Sequence, residues 1–250
     1  MNTVSFVRII FISLWTVYIS LIAGFFLLLG GKKNGPRFYQ SFNLLWARII
    51  LEFCGIEVEV KGLEKIKNLC GAILVSNHMS YFDILIIASV LKIAFRFVFK
   101  AELLRVPIFG WILGKSGNIP INREHSSIST IRRIKKTLEK GINVIMFAEG
   151  TSGYENEILP FKRGPFILAS QLKASIIPIV IRGSYFVYNK QKRRQINSGK
   201  VTVEFFDPVL DFLDKKFMSK EEKIETILKV KEKVRDIIVS KYLEVKWKSK

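Results

Sequence analysis

The stretch that decides the fold reads Gly71-Ala72-Ile73-Leu74-Val75-Ser76 and passes directly into Asn77-His78-Met79-Ser80-Tyr81-Phe82-Asp83. The first six residues are apolar, branched and uncharged, which marks a buried strand. Polar groups then arrive together, and an apolar run from Ile84 to Leu91 is long enough to begin a helix. His78 therefore falls in a strand-to-helix turn, with Asp83 on the helix's first turn. Open α/β sheets carry their chemistry at such turns, at the carboxyl ends of strands. A histidine five residues before an aspartate can meet it across the turn. The carboxylate then fixes one imidazole nitrogen and leaves the other as a base. The same residues fit a purely structural reading, with Ser80 as helix cap, Asp83 stabilising the first turn and His78 an ordinary loop histidine. The rest of the chain decides between the two.

Working outward, Ile56 to Lys61 alternates apolar and charged residues, a half-exposed strand turned by Gly62-Leu63-Glu64. Phe95–Lys100 is a further strand, and Gly117 to Arg123 a short polar one. Ser126 to Lys140 is an amphipathic helix with a basic outer face, closed by Gly141. Asn143 to Phe147 is a buried strand ending in Ala148-Glu149-Gly150-Thr151. A strand over Ser175–Ile181 contains Pro178, which predicts an edge position, a bulge or an interruption. Val201–Phe206 is another strand, and Lys215 to Lys250 a charged helical tail with Ile224, Ile227, Leu228, Val234 and Ile237 as its packing stripe. Strands interleaved with helices predict an α/β sheet flanked on both faces.

At the amino terminus, Ile9 to Leu29 is uncharged and long enough to span a bilayer core as a helix. It is long for a signal peptide and lacks a small-x-small cleavage site, so it reads as a retained anchor. Lys32, Lys33 and Arg37 follow, which places the next residues on the cytoplasmic side. From Arg37 to Cys54, the residues Phe38, Phe42, Leu45, Trp46, Ile49, Ile50 and Phe53 recur at helical spacing. That pattern fits a helix lying at the headgroup boundary and equally a core-packing helix. The two segments would form either a span or a hairpin dipped into one leaflet. The expected division is residues 1–54 as membrane-anchoring helices and 55–250 as the catalytic domain with its basic carboxyl-terminal helix.

A net charge of +19 calls for an anionic partner, and 49% hydrophobic residues favour a membrane surface over nucleic acid. The basic run Lys190 to Arg194 has no nucleic-acid recognition motif beside it, so no nucleic-acid partner is expected. Cys54 and Cys70 have no metal-ligand spacing and read as reduced packing residues. His78 and His125 are the only histidines. Metal catalysis is not expected, no cofactor is called for, and His125 is given no role.

Taken together, these residues resemble the glycerolipid acyltransferases typified by bacterial 1-acylglycerol-3-phosphate acyltransferase, over roughly residues 55–208. Asn77-His78-x-Ser80-x-x-Asp83 is similar to the family's N-H-x-S-x-x-D block. Gly117 to Arg123 resembles its G-x-x-F/I-x-x-R block, and Phe147 to Thr151 its F-P-E-G-T-R-S block. Ile177-Pro178-Ile179 resembles its V-P-V block, and Lys100-x-Glu102-Leu103 with Val106-Pro107 and Gly110-Trp111 its connecting segment. The resemblance implies the mixed sheet of that fold and transfer of an acyl group from acyl-CoA or acyl carrier protein to the hydroxyl of a membrane lysophospholipid, giving phosphatidic acid. Such a reaction needs a base for a poor nucleophile, which His78 and Asp83 supply, and no protein nucleophile. The resemblance further implies substrate-binding roles for Asn77, Ser80, Lys100, Arg123, Glu149, Gly150 and Thr151, with Arg123 as the phosphate ligand and Lys100 a second cation. Glu149 would hydrogen-bond a glycerol hydroxyl or orient a cation. One departure stands out: Ser152 and Gly153 occupy the places of the family's arginine and serine, with Lys162 or Arg163 downstream to compensate. This form also resembles acyltransferases acting on lyso-ornithine lipids. A non-catalytic basic membrane protein is the reading from a different class.

Overall fold

The computed structural model describes residues 2–28, 35–106, 109–122, 128–151, 157–188, 195–212 and 219–244, with backbone alone at 27–28, 35–39, 109 and 112. Arg123, His125, Ser152, Gly153 and the run 190–194 lie outside them. The elements in chain order are α1 (Thr3–Leu28), α2 (Gly35–Phe53), β1 (Ile56–Lys61), β2 (Ile73–Ser76), α3 (Phe82–Val90), β3 (Phe95–Lys100), α4 (Phe109–Lys115), β4 (Ile119–Ile121), α5 (Ile128–Glu139), β5 (Asn143–Phe147), α6 (Gly164–Leu172), β6 (Ile176–Arg182), α7 (Ser184–Val187), β7 (Gly199–Phe205) and α8 (Lys220–Leu243).

One seven-stranded sheet has the order β1-β7-β6-β2-β5-β3-β4. All neighbours are parallel except β6 and β7, so β1 and β7 run against the other five. Side chains alternate across it, as strand geometry requires. Leu74, Ile145 and Ile177 point to one buried layer with α2 and α3, whereas Ile73, Val144 and Ile176 point to the other with α5, α6 and α8. Strands buried on both faces read as unbroken apolar runs, which is why β2 and β5 carry no polar alternation. Fully buried Phe166 and Phe205 each remove on the order of 2–3 kcal/mol of apolar surface from water.

Pro178 sits in the middle of the sheet, paired with Val75 of β2. It is tolerated because the other neighbour breaks there. The ladder with β7 stops at Ile179↔Phe205, and an isolated bridge Ile176↔Val209 resumes with one extra residue on the later chain. The bulge absorbs the missing N–H, and the Phe206 N–H donates to the Pro178 carbonyl at 3.1 Å.

Helix α2 buries Ala47, Ile50 and Leu51, with Cys54 just beyond its end, in the same cluster as α3 and the sheet, and leaves Leu45 and Phe53 exposed. One face is thus core. Helix α1 lies on α2: the Trp15 indole N–H donates to the Trp46 carbonyl at 3.3 Å, and the Trp46 indole to Thr16 Oγ1 at 2.9 Å. Arg8 Nη1 donates to the Ile196 carbonyl at 2.8 Å, and Gly24 faces the Trp111 ring. The opposite side of α1 exposes Val7, Ile10, Leu14, Tyr18, Leu21 and Phe25 in one stripe. In α8 the buried stripe is Ile227, Val230, Val234, Ile238 and Tyr242. Ile224 is exposed and Ile237 only half-buried, so the helix sits rotated from the expected stripe.

Candidate active site

The carboxyl ends of β6, β2, β5, β3 and β4 share one edge, and the site forms where the connections diverge. The chain leaving β2 turns into α3 on one layer, and the chain leaving β5 turns into α6 on the other. Adjacent strands whose connections part in opposite directions leave a crevice between them. His78 follows β2 and Glu149 follows β5, so both stand at that crevice.

His78 Nδ1 lies 2.9 Å from Asp83 Oδ2. The same carboxylate oxygen accepts the Met79 N–H at 2.7 Å and the Ser80 N–H at 2.8 Å. Two backbone donors converging on Oδ2 hold the acceptor against the imidazole, which assigns Nδ1–H as the donor and leaves Nε2 as the base. The His78 ring stacks on Phe147, centroids 4.1 Å apart, and is only 9% exposed, so it is held flat with one edge free. Asp83 is fully buried and its Oδ1 has no hydrogen-bond partner among the described residues.

Glu149 is buried and both its oxygens are occupied by main-chain donors. Oε1 accepts the His78 N–H at 2.6 Å and Oε2 the Leu159 N–H at 2.8 Å. It therefore ties the histidine turn to the 157–162 segment. Burial pushes its carboxyl up to about 7, helped by the Asp83 charge and opposed by the two N–H donors and by Arg235. Asn77 braces the neighbouring strand end: its Nδ2 donates to the Ile181 carbonyl at 2.9 Å and its Oδ1 accepts the Ile181 N–H at 2.8 Å. Ser80 Oγ donates to the Tyr188 carbonyl at 2.8 Å and accepts the Phe82 N–H at 3.3 Å. Ser80 thus accepts at the entry of α3 while Asp83 meets the imidazole across the same turn.

Of the remaining expected residues, Gly150, Thr151 and Lys100 follow strand ends on the same edge, and Arg123 is outside the described residues. Gly150 has φ 72°, and a Cβ on it would come within 2.9 Å of Lys162 Cε, so the lysine stem lies directly on the glycine. The Lys162 N–H donates to the Ala148 carbonyl at 2.8 Å, which anchors that residue beside the exit of β5. Thr151 is exposed. Lys100 ends β3 and pairs with Glu102 at 3.1 Å on the surface. Arg182, at the end of β6, is consumed by Glu204 at 2.7 Å and by the Lys241 carbonyl. Tyr242 of α8 was not foreseen. Burial raises its phenol, with the Asp83 and Glu149 charges adding to the shift, so the last helix reaches behind the site. Among the described residues no three of His, Cys, Asp or Glu gather as metal ligands.

The general model of the Acyltransferase family matches residues 57–182, half of the chain. The chloroplastic 1-acyl-sn-glycerol-3-phosphate acyltransferase of Arabidopsis thaliana is 29% identical over 176 residues, 69% of this chain and 49% of that one. The alpha form of the same enzyme from Mus musculus is 31% identical over 207 residues, 82% of this chain and 72% of that one. The chain spans about half the length of the plant relatives it matches. The crystal structure of the 1-acyl-sn-glycerophosphate acyltransferase PlsC from Thermotoga maritima superposes with a TM-score of 0.74 at 23% identity, over 97% of this chain and 99% of that one, and shares the fold. With the matched segment running from β1 through both strand ends that carry His78 and Glu149, the chain belongs to the acyltransferase family.

Proposed function

We propose that this chain transfers a fatty acyl group from a thioester to the sn-2 hydroxyl of 1-acylglycerol-3-phosphate, giving phosphatidic acid at the cytoplasmic face of a membrane. The observation that carries the reading is the His78–Asp83 pair, with its acceptor oxygen fixed by two N–H groups. Nε2 takes the hydroxyl proton as the oxygen attacks the thioester carbonyl. The tetrahedral intermediate collapses, the C–S bond breaks as the ester C–O bond is retained, and the imidazolium returns its proton to the departing thiolate. Asp83 offsets the positive charge on His78 in between.

An acceptor phosphate needs a cation near this base. Arg182 is committed elsewhere, and Lys100 stands two strands from β2, roughly 10 Å at ordinary strand spacing. Lys162 is exposed, has no ion pair among the described residues and lies on Gly150, one strand from His78. It supports a phosphate site at the β5 exit in place of the arginine that Ser152 replaces, with Lys100 further along the rim. Membrane attachment rests on α1, which is long and apolar enough to cross a bilayer by length and composition. Its contacts run from Arg8 to Gly24, so most of its length is docked on the domain with the apolar stripe outward. That favours a helix lying in the interface over one crossing it.

The test is thiol release by detergent-purified protein with lysophosphatidic acid or lyso-ornithine lipid as acceptor. Turnover with lysophosphatidic acid, abolished by His78→Ala and with KM raised about tenfold by Lys162→Met, is expected for one lost charge-assisted contact. Turnover only with the ornithine lipid would keep the mechanism and replace the acceptor; no turnover with either would sink the proposal.

A further inference from the structure

Arg8 is the one charged side chain among the first 31 residues, and the acyl-transfer chemistry makes no use of it. Its Nη1 donates to the Ile196 carbonyl at 2.8 Å, and among the described residues no carboxylate pairs with it. A guanidinium carries five N–H donors, so this bond occupies one of them. Holding α1 on Ile196 does not call for a charge, because Ser5 Oγ already accepts the Ile196 N–H at 3.1 Å. The half-buried head opens on a cavity of about 310 Å³ lined by Thr3, Val4, Val7, Arg8 and Phe53. Val4, Val7 and Phe53 are exposed, and Val7 begins the apolar stripe of α1. A cation placed beside a membrane-facing apolar stripe is costly unless an anion meets it.

The cavity lies at the catalytic edge. Strands β1 and β7 run against the other five, so their amino ends meet the carboxyl ends of β6 and β2. Gly55 precedes β1, and a Cβ on it would lie 3.9 Å from Arg8 Nη2. Ile196 precedes β7, and from it a short path leads to the base. Ile196 bridges Tyr188, and the Asn197 N–H donates to the Val187 carbonyl at 2.8 Å. The Tyr188 carbonyl accepts Ser80 Oγ at 2.8 Å, and its ring lies against Phe82 with centroids 6.0 Å apart. The Ser80 N–H is in turn one of the donors that hold Asp83 Oδ2. That path joins Arg8 to the carboxylate that orients His78.

We propose that this cavity binds the phosphate of an anionic bilayer phospholipid and that the bound lipid steadies the His78 turn through Ile196 and Tyr188. The guanidinium takes the phosphate, and a chain lies along Val4, Val7 and Phe53. A free phosphate would satisfy the cation and leave the apolar floor open, so the lipid is the better match. This lipid is an effector, not the acceptor. Strand β7 is two places from β2, roughly 10 Å at ordinary spacing, and the acceptor's phosphate is tied too closely to its reacting hydroxyl to reach that far. The binding stands apart from the acyl-transfer reading; its effect on rate rests on that reading.

Val4→Glu sets a carboxylate one turn before Arg8, the favoured order for an ion pair, and fills the site from within while Arg8 keeps its bond to Ile196. Val4 is 55% exposed, so the change spares the core, and Val4→Gln is the size-matched control. Native mass spectrometry in detergent measures binding of phosphatidylglycerol, phosphatidylcholine and inorganic phosphate. Amide hydrogen exchange reads Asn77 to Asp83, and acyl transfer to lysophosphatidic acid in phosphatidylcholine micelles is timed with and without phosphatidylglycerol. Wild type and Val4→Gln should bind phosphatidylglycerol about tenfold more tightly than Val4→Glu, as for one charge-assisted contact. In those two proteins alone, phosphatidylglycerol should slow exchange in the turn about threefold and raise kcat at least about twofold. Equal binding by all three proteins, or phosphatidylcholine bound as tightly as phosphatidylglycerol, overturns the site. Bound lipid with exchange and rate unaltered overturns the coupling, and inorganic phosphate giving the same protection overturns the lipid in favour of a free anion. A wild type that transfers no acyl group would remove the acyl-transfer reading, and binding and exchange would still decide this proposal.

Discussion

Asp83→Asn separates two jobs done by one oxygen. Oδ2 accepts from His78 Nδ1 and from two backbone N–H groups. In the asparagine variant those N–H groups still demand an acceptor, so the amide oxygen takes the Oδ2 position and the NH2 group takes that of Oδ1. The imidazole then keeps its Nδ1–H donor and its Nε2 base. What disappears is the negative charge facing the imidazolium. Replacing a charge-assisted bond by a neutral one removes the difference between them, about 1–1.5 kcal/mol of stabilisation, which at 1.36 kcal/mol per decade lowers kcat roughly 5- to 13-fold. That is less than the hundred- to ten-thousand-fold, in round terms about 10²–10⁴, expected from removing a general base with His78→Ala.

Asp83→Ala makes the contrast. It strips the acceptor from both backbone N–H groups in a fully buried turn, at about 1–3 kcal/mol each. A loss of at least about 2 kcal/mol lowers Tm by roughly 4–8 °C for a chain of this size. Asparagine should therefore be slow but nearly as stable as wild type, and alanine both slow and unstable. The assays are single-turnover acyl transfer and a thermal melt on the same preparations. An asparagine variant within about threefold of wild type refutes the charge argument, and one as dead as His78→Ala refutes the claim that the backbone donors preserve the tautomer.

Glu149 gives a pH prediction with a defined sign. Its carboxyl is raised from 4.5 to about 7, so between those values the folded protein holds a proton that the unfolded chain has released. That contribution is full below pH 4.5 and is lost as pH rises through 7, amounting to about 3 kcal/mol at 1.36 kcal/mol per unit. Glu149→Gln should flatten the fall in Tm from pH 5 to pH 8, and an unchanged slope would rule the linkage out. At the surface, Leu14 is 67% and Leu21 59% exposed on α1. Leu14→Glu/Leu21→Glu should release the protein from liposomes in a flotation assay, with Tm shifted by no more than about 2 °C since neither side chain is core. Retention on the liposomes would mean that another surface holds the membrane.

The strands were legible because their patterns are local. Ile56–Lys61, Phe95–Lys100 and Asn143–Phe147 form with the bounds their periodicity predicts. Helices α4, α6 and α7 were not. Helix α6 buries Pro165, Phe166, Leu168, Ala169 and Ser170, so apolar residues surround it and no amphipathic period marks it. Helices α4 and α7 are too short to show a period at all. Pro178 predicted an edge, a bulge or an interruption. The bulge lies on its partner, and only the three-dimensional pairing tells which.

The site divides in the same way. His78 and Asp83 are five residues apart, and one turn brings them together, so their spacing was sufficient. Glu149 was visible as a residue but not as a brace, because its partners are the N–H groups of residues 78 and 159, and backbone donors leave no trace in residue type. Its position depends on strand order. If β5 had added beyond β4 in chain order, β2 would lie beside β3 and Glu149 would stand several strands from the histidine. The chain instead returns after α5 to insert β5 between β2 and β3. That single reversal opens the crevice, sets Phe147 against the imidazole, and lets one carboxylate hold the histidine turn and the Lys162 segment in a fixed relation. Catalytic geometry here follows from topology, and the local motif supplies only the half of it that fits within one turn.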